Sequence, residues 1–431
     1  MRYSYILPSI DKYQLLAWSK DFDIFMFLDA HREDDPLYGA SFDFKLAVQA
    51  VRVLQLGTNN AFINLSSFLS KRENDWVFGG LSYDLKNELE TLSSRNADVM
   101  QLEEMYFFVP KYLFEFKEGV LSLHCTEQVD LESLIAEICT QEYPTSKNES
   151  VDVKSSLSKG EYIRKIEKVK ENIQSGDIYE MNFCQNFYSD NVTIEPLDLF
   201  RKLNENSKAP FSSFFQYNHF HLISASPERY IQKIASDIIS QPIKGTRKRG
   251  MDEKEDQLLK EELMASEKDK HENVMIVDLV RNDLSRIAEK STVKVTDLFG
   301  VYSFPHVHQM ISTISCVLAS DKNYMDVITS SFPMGSMTGA PKIRAMKLIE
   351  KYEDFKRSFY SGSVGYFSPD RDFDFNVVIR SVLYHSDKKY LSFPVGGAIT
   401  IDSSPEDEYE ECLVKIQGVL KALNARLINV F

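Results

Sequence analysis

The amino-acid sequence predicts an α+β fold in which antiparallel strands and helices of unequal length form one globular chain. Short aromatic runs separated by Gly, Pro or charged residues are typical of strands and turns. The helical patterns between them differ widely in length and do not alternate regularly with strands, which favours α+β over a doubly wound fold. The sequence also contains neither a GxGxxG nor a GxxxxGK signature of nucleotide binding.

Strand-like and helix-like segments follow one another along the whole chain. The predicted strands lie within 23–29, 75–85, 104–116, 214–226, 363–368, 375–385 and 390–400. The predicted helices span 43–55, 162–174, 252–290, 341–352 and 405–426. The polar stretch 141–162 lacks apolar periodicity and is interpreted as a surface connection. We therefore expect an N-terminal part, 1–150, and a C-terminal part, 151–431, that are intertwined into one unit.

The composition argues against several classes of protein. Apolar residues make up 43% of the 431 residues, which is ample for a sizeable core. The formal charge of -14 argues against a protein that neutralises nucleic-acid phosphates. Five scattered cysteines without CxxC spacing fit neither a zinc site nor a disulfide framework. Because no stretch is as apolar as an export signal or a membrane span, we expect a cytoplasmic protein with reduced thiols and no membrane partner.

One predicted helix carries a pair of acids in line with its buried face. Its apolar stripe includes Ile276, Val280, Leu284 and Ile287, which are spaced by three or four residues. Asp269 and Glu272 extend the same stripe toward the N-terminus of the helix. Two acids therefore occupy positions where apolar residues normally point.

A second predicted helix repeats this arrangement. Ser404 is a candidate N-cap and Pro405 the first helical residue. Glu408, Glu411 and Lys415 lie along one edge of its apolar stripe. Such pairs suit a hard cation like Mg²⁺, which takes one or two carboxylates and leaves positions for an anionic substrate. The alternative is that both pairs are solvated residues in a first helical turn, where the helix dipole favours acids.

Lys244 in QPIKGTRKRG (241–250) is a third candidate. It is interpreted either as the first member of a solvated basic run or as a buried amine set apart for chemistry, and spacing alone does not decide. A nucleophilic lysine must be partly unprotonated near neutral pH, which burial or a neighbouring cation achieves. Arg247, Lys248 and Arg249 are the candidates for that neighbouring positive charge.

Eight segments, taken in order, resemble the chorismate-utilising enzymes, which include aminodeoxychorismate, anthranilate, isochorismate and salicylate synthases. They are SASPERY, QPIKGTRKRG, DKHENVMIVDLVRNDLSRIA, FPMGSMTGAPKIRAMKLIEKYE, YSGSVGYFS, VVIRS, VGGAIT and SSPEDEYEECLVK, within about residues 160–425. The resemblance implies one large chorismate-binding fold, with two β-sheets packed together and helices on the outside. It also implies that 151–431 is the catalytic part and that 1–150 resembles the N-terminal part of anthranilate synthase component I.

The resemblance further implies a role for each candidate residue. Glu272 and Glu411 are expected to ligate Mg²⁺ directly, while Asp269 and Glu408 hold its waters. Glu228 in SPER is expected to protonate the departing ring hydroxyl of chorismate, which requires a pKa raised by burial. The residues expected to hold the substrate's carboxylates are Thr246, Tyr360, Arg380, Gly396, Gly397 and Lys415.

Two further interpretations concern segments of this resemblance. TGAPK (338–342) lies at a helix start and is expected to offer free N–H groups to an anion; a Pro-initiated helix after a turn explains it equally well. Without the resemblance, Arg380 is interpreted as a strand residue on the solvent face.

Lysine in PIKGT is characteristic of the aminodeoxychorismate synthases, whereas anthranilate synthases usually carry alanine there. In that reaction Lys244 is expected to attack the ring carbon beside the carboxylate-bearing carbon, and ammonia then expels it. Glu180 aligns with the water-activating lysine of isochorismate and salicylate synthases, which disfavours hydration, although Gln is commoner there in the ammonia-using enzymes. Gln309 stands where the family usually has histidine, and strand register places neighbouring His308 on the other face.

The expected function is the Mg²⁺-dependent amination of chorismate to 4-amino-4-deoxychorismate, a step toward 4-aminobenzoate and folate. No Cys–His amidotransferase module is apparent, so ammonia is expected from a separate glutaminase subunit. One alternative is an anthranilate synthase component I. The other is a non-catalytic paralogue that binds only a metabolite or the glutaminase.

Overall fold

The computed structural model describes residues 2–32, 37, 41–71, 75–146 and 150–428. Their helices are α1 (Lys12–Ser19), α2 (Ala61–Ser70), α3 (Lys86–Leu89), α4 (Leu131–Cys139), α5 (Lys159–Gln174), α6 (Pro196–Ser207), α7 (Glu253–Ala265), α8 (Glu267–Ser285), α9 (Tyr324–Ser331), α10 (Lys342–Tyr352) and α11 (Pro405–Leu423). Single 3₁₀ turns lie at Tyr83–Leu85 and Gly335–Met337. Among these residues, no helix combines the length and the apolar character needed to cross a membrane.

The strands of the N-terminal third are β1 (Tyr3–Leu7), β2 (Ile24–Asp29), β3 (Phe44–Leu56), β4 (Val77–Leu81), β5 (Met105–Lys117) and β6 (Val120–Cys125). The middle of the chain forms β7 (Val151–Ser155), β8 (Glu180–Gln185), β9 (Phe187–Ser189), β10 (Phe211–Tyr217), β11 (Phe220–Ser226), β12 (Arg229–Ile234), β13 (Asp237–Gln241), β14 (Ile243–Lys248), β15 (Lys294–Ser303) and β16 (Val307–Val317). The last strands are β17 (Gly339–Ala340), β18 (Ser363–Phe367), β19 (Phe373–Asn376), β20 (Ser381–His385), β21 (Tyr390–Ser392), β22 (Val395–Ile399) and β23 (Ala425–Ile428).

Two large sheets share the long antiparallel pair β3 and β5. One continues from β3 through β2, β10, β11, β20, β21 and β9 to β7, which pairs in parallel with β23. The other continues from β5 through β4, β18, β19, β12 and β13 to β16, beside which β14 and β15 also lie. A small third sheet joins β17, β8 and β22. The predicted α+β fold is confirmed.

The first large sheet buries both of its faces. On β2, Phe25 and Phe27 join one apolar cluster, whereas Met26 and Leu28 join the other. The first cluster contains side chains of α1, α5, α6, α10 and α11, and the second contains side chains of both large sheets and of α8. Because successive strand residues point to opposite faces, this sheet is the middle layer between the outer helices and the second sheet.

Several predicted elements differ from the structure. The predicted helix 43–55 is strand β3, whose first five residues are all buried, so the period-two alternation of a strand is hidden there. The predicted helix 252–290 is two helices, because Ser266 adopts an extended backbone and its side chain accepts a hydrogen bond from Asp269 N to cap α8. The predicted strand 375–385 is interrupted between β19 and β20, where Arg380 has φ 53°.

The polar stretch 141–162 is more structured than a surface connection. It contains β7, in which Val153 is fully buried, and the start of α5. Residues 147–149 of that stretch lie outside the described residues. Strands from either side of it pair directly, since β2 pairs with β10 and β4 pairs with β18. The division at residue 150 stays a prediction.

Candidate active site

The catalytic, substrate-binding and metal-binding candidates all line one cleft with a volume of about 530 Å³. Seven parts of the fold supply them: the segment before β12, strand β14, helix α8, the segment before β18, the segment before β20, strand β22 and helix α11. The residues are Glu228, Lys244, Thr246, Asp269, Glu272, Tyr360, Arg380, Gly396, Gly397, Glu408, Glu411 and Lys415. The structure therefore brings together side chains that are far apart in the sequence.

Gly245 allows β14 to approach the first turn of α8. Its φ is 92°, and a Cβ atom added there would lie 3.0 Å from Cβ of Asp269 and 2.9 Å from a methyl group of Leu263. Any other residue would be strained and would push the strand away. The pairing of β14 with β16 also shifts register between Ile243 and Thr246. Both features place Lys244 beside α8.

Lys244 is a buried amine and not the first residue of a solvated run. Its side chain is 10% exposed, and Nζ donates a hydrogen bond to Oε1 of Glu180 at 3.1 Å. Burial by itself lowers the pKa of Lys244, but the carboxylates of Glu180, Glu272 and Glu228 outweigh it and raise the pKa above the ordinary value. The free chain therefore holds Lys244 protonated.

The prediction that Arg247, Lys248 and Arg249 lower the pKa of Lys244 is wrong. Arg247 donates to Glu262 at 2.9 Å and to Asp269 at 3.1 Å. Arg249 pairs with Asp256 at 2.7 Å, and Lys248 lies 3.7 Å from Glu255. Each positive charge is matched by an acid of α7 or α8, so their summed effect on the amine is small.

Glu228 lies against the same end of the cleft. It is 4% exposed, and burial raises its pKa to about 7, although the Ser336 hydroxyl and the charge of Lys244 lower it in part. This is the direction that the sequence predicted for a general acid. Roughly half of the Glu228 carboxyls therefore carry a proton at neutral pH.

Lys268 joins the two acid-bearing helices. Its Nζ lies 3.5 Å from Oε1 of Glu408 on α11 and 3.9 Å from Oε1 of Glu272 on α8. Burial raises the pKa of Glu272 to about 7, and Lys244 and Lys268 lower it in part. Sequence reasoning missed Lys268, although its four-residue spacing from Glu272 is a recognisable ion-pair signal. It also missed Asn182 and Ser336, which line the cleft and carry no local sequence signal.

Lys415 and Glu411 pair with each other on α11. Lys415 Nζ lies 2.6 Å from Oε1 of Glu411 and donates to the carbonyl oxygen of Gly396 at 2.8 Å. Partial burial by itself raises the pKa of Glu411, but Lys415 and Lys268 lower it below the ordinary value. A Cβ atom at Gly397 would lie 3.1 Å from Oε2 of Glu408, so glycine leaves this part of the cleft open.

The acids suit a divalent metal in kind, although they do not converge on one point. Within the described ranges, no group of three or more His, Cys, Asp or Glu side chains is arranged to hold an ion. The donors are nevertheless carboxylates, which hard cations prefer, and they come from the facing first turns of α8 and α11. The Lys268 ammonium already places a positive charge between these helices. The donor atoms are therefore of the kind that Mg²⁺ prefers, and a metal held by them stays a prediction.

Arg380 reaches the cleft and is not a solvent-facing strand residue. Its backbone is left-handed, it precedes β20, and Nη1 donates to the carbonyl oxygen of Lys415 at 3.4 Å. Burial lowers the pKa of Arg380. Tyr360 is buried, with its hydroxyl 3.8 Å from Sγ of Cys184, and Thr246 lies opposite Gln309 in the pairing of β14 with β16.

TGAPK plays a structural part in this arrangement. Gly339 and Ala340 form β17, which pairs with Met181 and Glu180 of β8. None of the five residues of TGAPK, 338–342, lines the cleft. TGAPK therefore lies outside the lining of this cleft, and the expectation that its N–H groups are available to an anion stays a prediction.

The register prediction for Gln309 and its neighbour is confirmed. Gln309 lines the cleft. His308 lies on the other face, with Nε2 3.0 Å from Asp256 and Nδ1 2.9 Å from Ser303.

The fold and this cleft define a chorismate-binding enzyme, and the comparisons agree. The model of that family matches residues 25–421, so the chain belongs to the chorismate-binding enzyme family. Aminodeoxychorismate synthase component 1 of Klebsiella aerogenes is 34% identical over 81% of this chain and 77% of its own length. Anthranilate synthase component 1 of Thermus thermophilus is 33% identical over 80% of this chain and 77% of its own length.

Two further matches bear on length and fold. Chloroplastic aminodeoxychorismate synthase of Arabidopsis thaliana is 39% identical over 62% of this chain, but the match spans only 29% of that protein. The crystal structure of anthranilate synthase component I from Streptococcus pneumoniae superimposes with a TM-score of 0.76, covering 88% of this chain and 92% of that one at 24% identity. The expected chorismate-binding architecture is confirmed.

Proposed function

We propose that the chain is the aminating component of an aminodeoxychorismate synthase. It converts chorismate and ammonia to 4-amino-4-deoxychorismate, as a transferase in the cytoplasmic synthesis of 4-aminobenzoate and folate. The observation that carries the proposal is the buried amine of Lys244 in the same cleft as the buried acid Glu228. The relatives named component 1 support a separate glutaminase subunit as the ammonia source.

Lys244 and Glu228 share the first displacement. Nζ of Lys244 forms a bond to the ring carbon beside the carboxylate-bearing carbon, the two conjugated ring double bonds each shift by one position, and the C–O bond of the ring hydroxyl breaks. Glu228 gives its proton to that hydroxyl, which leaves as water. A carboxyl with a pKa of about 7 is suited to this task, because a large fraction is protonated at neutral pH and the proton is readily released.

Ammonia completes the reaction by the reverse shift. It bonds to the carbon that carried the hydroxyl, both ring double bonds return to their original positions, and the C–N bond to Lys244 breaks. The new ammonium gives a proton to the Glu228 carboxylate, which restores the acid. Two successive displacements place the amine para to the carboxylate, whereas direct attack beside the carboxylate gives the ortho product.

The remaining candidates position the substrate. Arg380, Lys415, Thr246 and Tyr360 bind the two carboxylates of chorismate, with the backbone of Gly396 and Gly397 beside them. Glu272 and Glu411 would hold Mg²⁺ directly and Asp269 and Glu408 would hold its waters, and the ion would supply positive charge for the ring carboxylate.

A product assay tests the proposal. The purified chain receives chorismate, Mg²⁺ and ammonium, and the products are separated before and after addition of a lyase that releases 4-aminobenzoate. A product that yields 4-aminobenzoate only with the lyase supports the proposal. Fluorescent anthranilate without a lyase favours the second candidate, anthranilate synthase component I, which the Thermus relative supports. Absence of chorismate turnover favours a non-catalytic paralogue.

A further inference from the structure

Glu180 is a buried carboxylate in which, among the described residues, one oxygen accepts a hydrogen bond and the other accepts none. It begins β8 and is 1% exposed. Its Oε1 accepts the hydrogen bond from Lys244, whereas Oε2 accepts none from the part of the chain that the structure describes. A buried charge with a free oxygen is costly, because burial disfavours an ion that lacks partners. Oε2 of Glu180 is therefore a buried acceptor beside the Lys244 amine with no partner among the described residues.

We propose that Glu180 is the positioning residue of Lys244, which holds Nζ at the wall of the cleft and takes up its proton when the amine attacks. The inference rests on the proposed function, in which Lys244 forms the covalent adduct. It assigns a role to Glu180, for which the sequence alone predicted none.

The backbone around Glu180 keeps its carboxylate in one place. Ala340 of β17 pairs with Glu180, and Tyr179 N donates to the carbonyl oxygen of Ala340 at 2.7 Å. A Cβ atom at Gly339 would lie 2.2 Å from the carbonyl oxygen of Glu180, so the two strands lie in close contact. On its other side β8 pairs with β22, which carries Gly396 and Gly397. A carboxylate fixed in this way also fixes the amine that donates to it.

The other acids near Lys244 are unsuited to take its proton. Among the described residues, Glu180, Glu272 and Glu228 are the acids whose charges raise the pKa of Lys244. Glu228 must give a proton to the leaving hydroxyl in the same step, so it cannot accept one. Glu272 makes no hydrogen bond to Lys244 among the described contacts and pairs with Lys268. Glu180 alone is already hydrogen-bonded to Nζ.

The proton and electron pairs balance over the cycle. A proton passes from Nζ to Oε1 of Glu180, and the freed lone pair of Nζ bonds to the ring carbon while the hydroxyl leaves with the proton of Glu228. Ammonia then bonds to the ring, the C–N bond to Lys244 breaks, and its electron pair returns to Nζ. Glu180 returns its proton to Nζ, and Glu228 takes one from the new ammonium.

The experiment compares the wild-type chain with Glu180→Gln, which keeps the shape and removes the charge. The pKa of Lys244 is measured by competitive labelling with trace acetic anhydride at a series of pH values, followed by peptide mass spectrometry. The value of kcat/KM for chorismate is measured over the same series with Mg²⁺ and saturating ammonium. Glu115→Gln is the matched control, because it removes the carboxylate partner of another buried lysine, Lys45, outside the cleft.

Glu180→Gln is expected to lower the pKa of Lys244 by at least about one unit, because the nearest counter-charge is gone. In Glu180→Gln, kcat/KM is expected to rise with pH as Lys244 loses its proton, because no carboxylate is left to accept that proton. In the wild type, kcat/KM is expected to be independent of pH as long as both Lys244 and Glu228 are protonated. Glu180→Asp, which keeps the charge but shortens the reach, is expected to lower kcat with little change in KM. Glu115→Gln leaves both profiles unchanged.

Either of two results overturns the inference: an unchanged pKa of Lys244 in Glu180→Gln, or a wild-type kcat/KM that follows the titration of Lys244. The labelling experiment measures the pKa of Lys244 without any turnover of chorismate, so its result does not depend on whether the proposed function is correct. If Lys244→Ala still makes the 4-amino product at the wild-type rate, the covalent role of Lys244 fails and the inference fails with it, whereas the proposed function fails only if the wild-type chain makes no 4-amino product.

Discussion

Arg357 and Glu353 form an ion pair of 2.6 Å inside the protein, and each side chain is 1% exposed. Arg357 also donates to the carbonyl oxygens of Met337 and Asn182 at 2.7 and 2.9 Å, while Cys184 N donates to Glu353 at 2.9 Å. The pair thus ties α10 to β8 and to the turn that carries Ser336, so it holds one wall of the cleft in place.

Glu353→Gln is expected to destabilise the chain by about 3–5 kcal/mol, because it leaves the buried Arg357 charge without its counter-ion. Urea unfolding followed by circular dichroism measures the change. Lys347→Gln, at an exposed position of the same helix, is the control. A loss below about 1 kcal/mol for Glu353→Gln would show that the pair does not anchor the wall.

Lys244→Ala is expected to abolish formation of the 4-amino product, because the other lysines that line the cleft, Lys248, Lys268 and Lys415, lie beside the acids Glu255, Glu408 and Glu411. Product chromatography after lyase treatment measures it. Lys254→Ala, on the exposed start of α7, is the control and should keep the wild-type rate. Mass spectrometry of quenched wild-type enzyme should also detect chorismate-derived mass on the peptide that contains Lys244.

Glu228→Gln is expected to lower kcat/KM by roughly 10²–10⁴-fold, the usual range for removal of a general acid. In the wild type the acid form of Glu228 is the active one, so kcat/KM should fall as the pH rises above about 7. The residual activity of the variant should lack that fall. A wild-type profile that stays level up to pH 9 contradicts the role of Glu228.

The raised pKa of Glu228 also predicts how stability depends on pH. The folded-state pKa of about 7 lies above the ordinary value of 4.5, so the folded chain binds this proton more tightly and loses that stabilisation as the pH rises through 7. Relative to Glu228→Gln, the wild type should lose about 2 kcal/mol of unfolding free energy between pH 5.5 and pH 8.5. Equal losses in both chains would show that Glu228 is solvated.

Lys268 and Glu272 should affect metal binding in opposite directions. Lys268→Met removes a half-exposed cation that competes for the acids, so Mn²⁺ or Mg²⁺ should bind about two- to fivefold more tightly. Glu272→Gln should weaken binding more than tenfold, since it removes a proposed ligand. Electron paramagnetic resonance of Mn²⁺ measures both without any turnover, and weaker binding in Lys268→Met would argue against competition.

The sequence predicted those parts of the site that depend on local spacing. The acid pairs of α8 and α11 were found because helical periodicity places them in line with buried residues such as Ile276 and Cys412. The partner of Lys244 could not be found in this way, since Glu180 lies 64 residues away on another sheet. The charges of Arg247 and Arg249 were misjudged for the same reason, because their acid partners lie on α7 and α8.

Burial on both faces explains the main error in the fold. The first half of β3 is covered on one side by helices and on the other by the second sheet. Its sequence therefore lacks the alternation of a half-buried strand, and the pattern predicts a helix. The break at Arg380 was also missed, since its left-handed backbone depends on contacts with α11 that come much later in the chain.

Each proposed metal acid already has a cation of the chain beside it. Asp269 has Arg247, Glu272 and Glu408 share Lys268, and Glu411 has Lys415. Three cations therefore offset most of the charge of these four acids, and we expect the cleft to stay assembled without a divalent ion. A chelator should abolish activity without unfolding the chain. When the ion is added back, activity should return at the rate of ion binding and not at the slower rate of refolding.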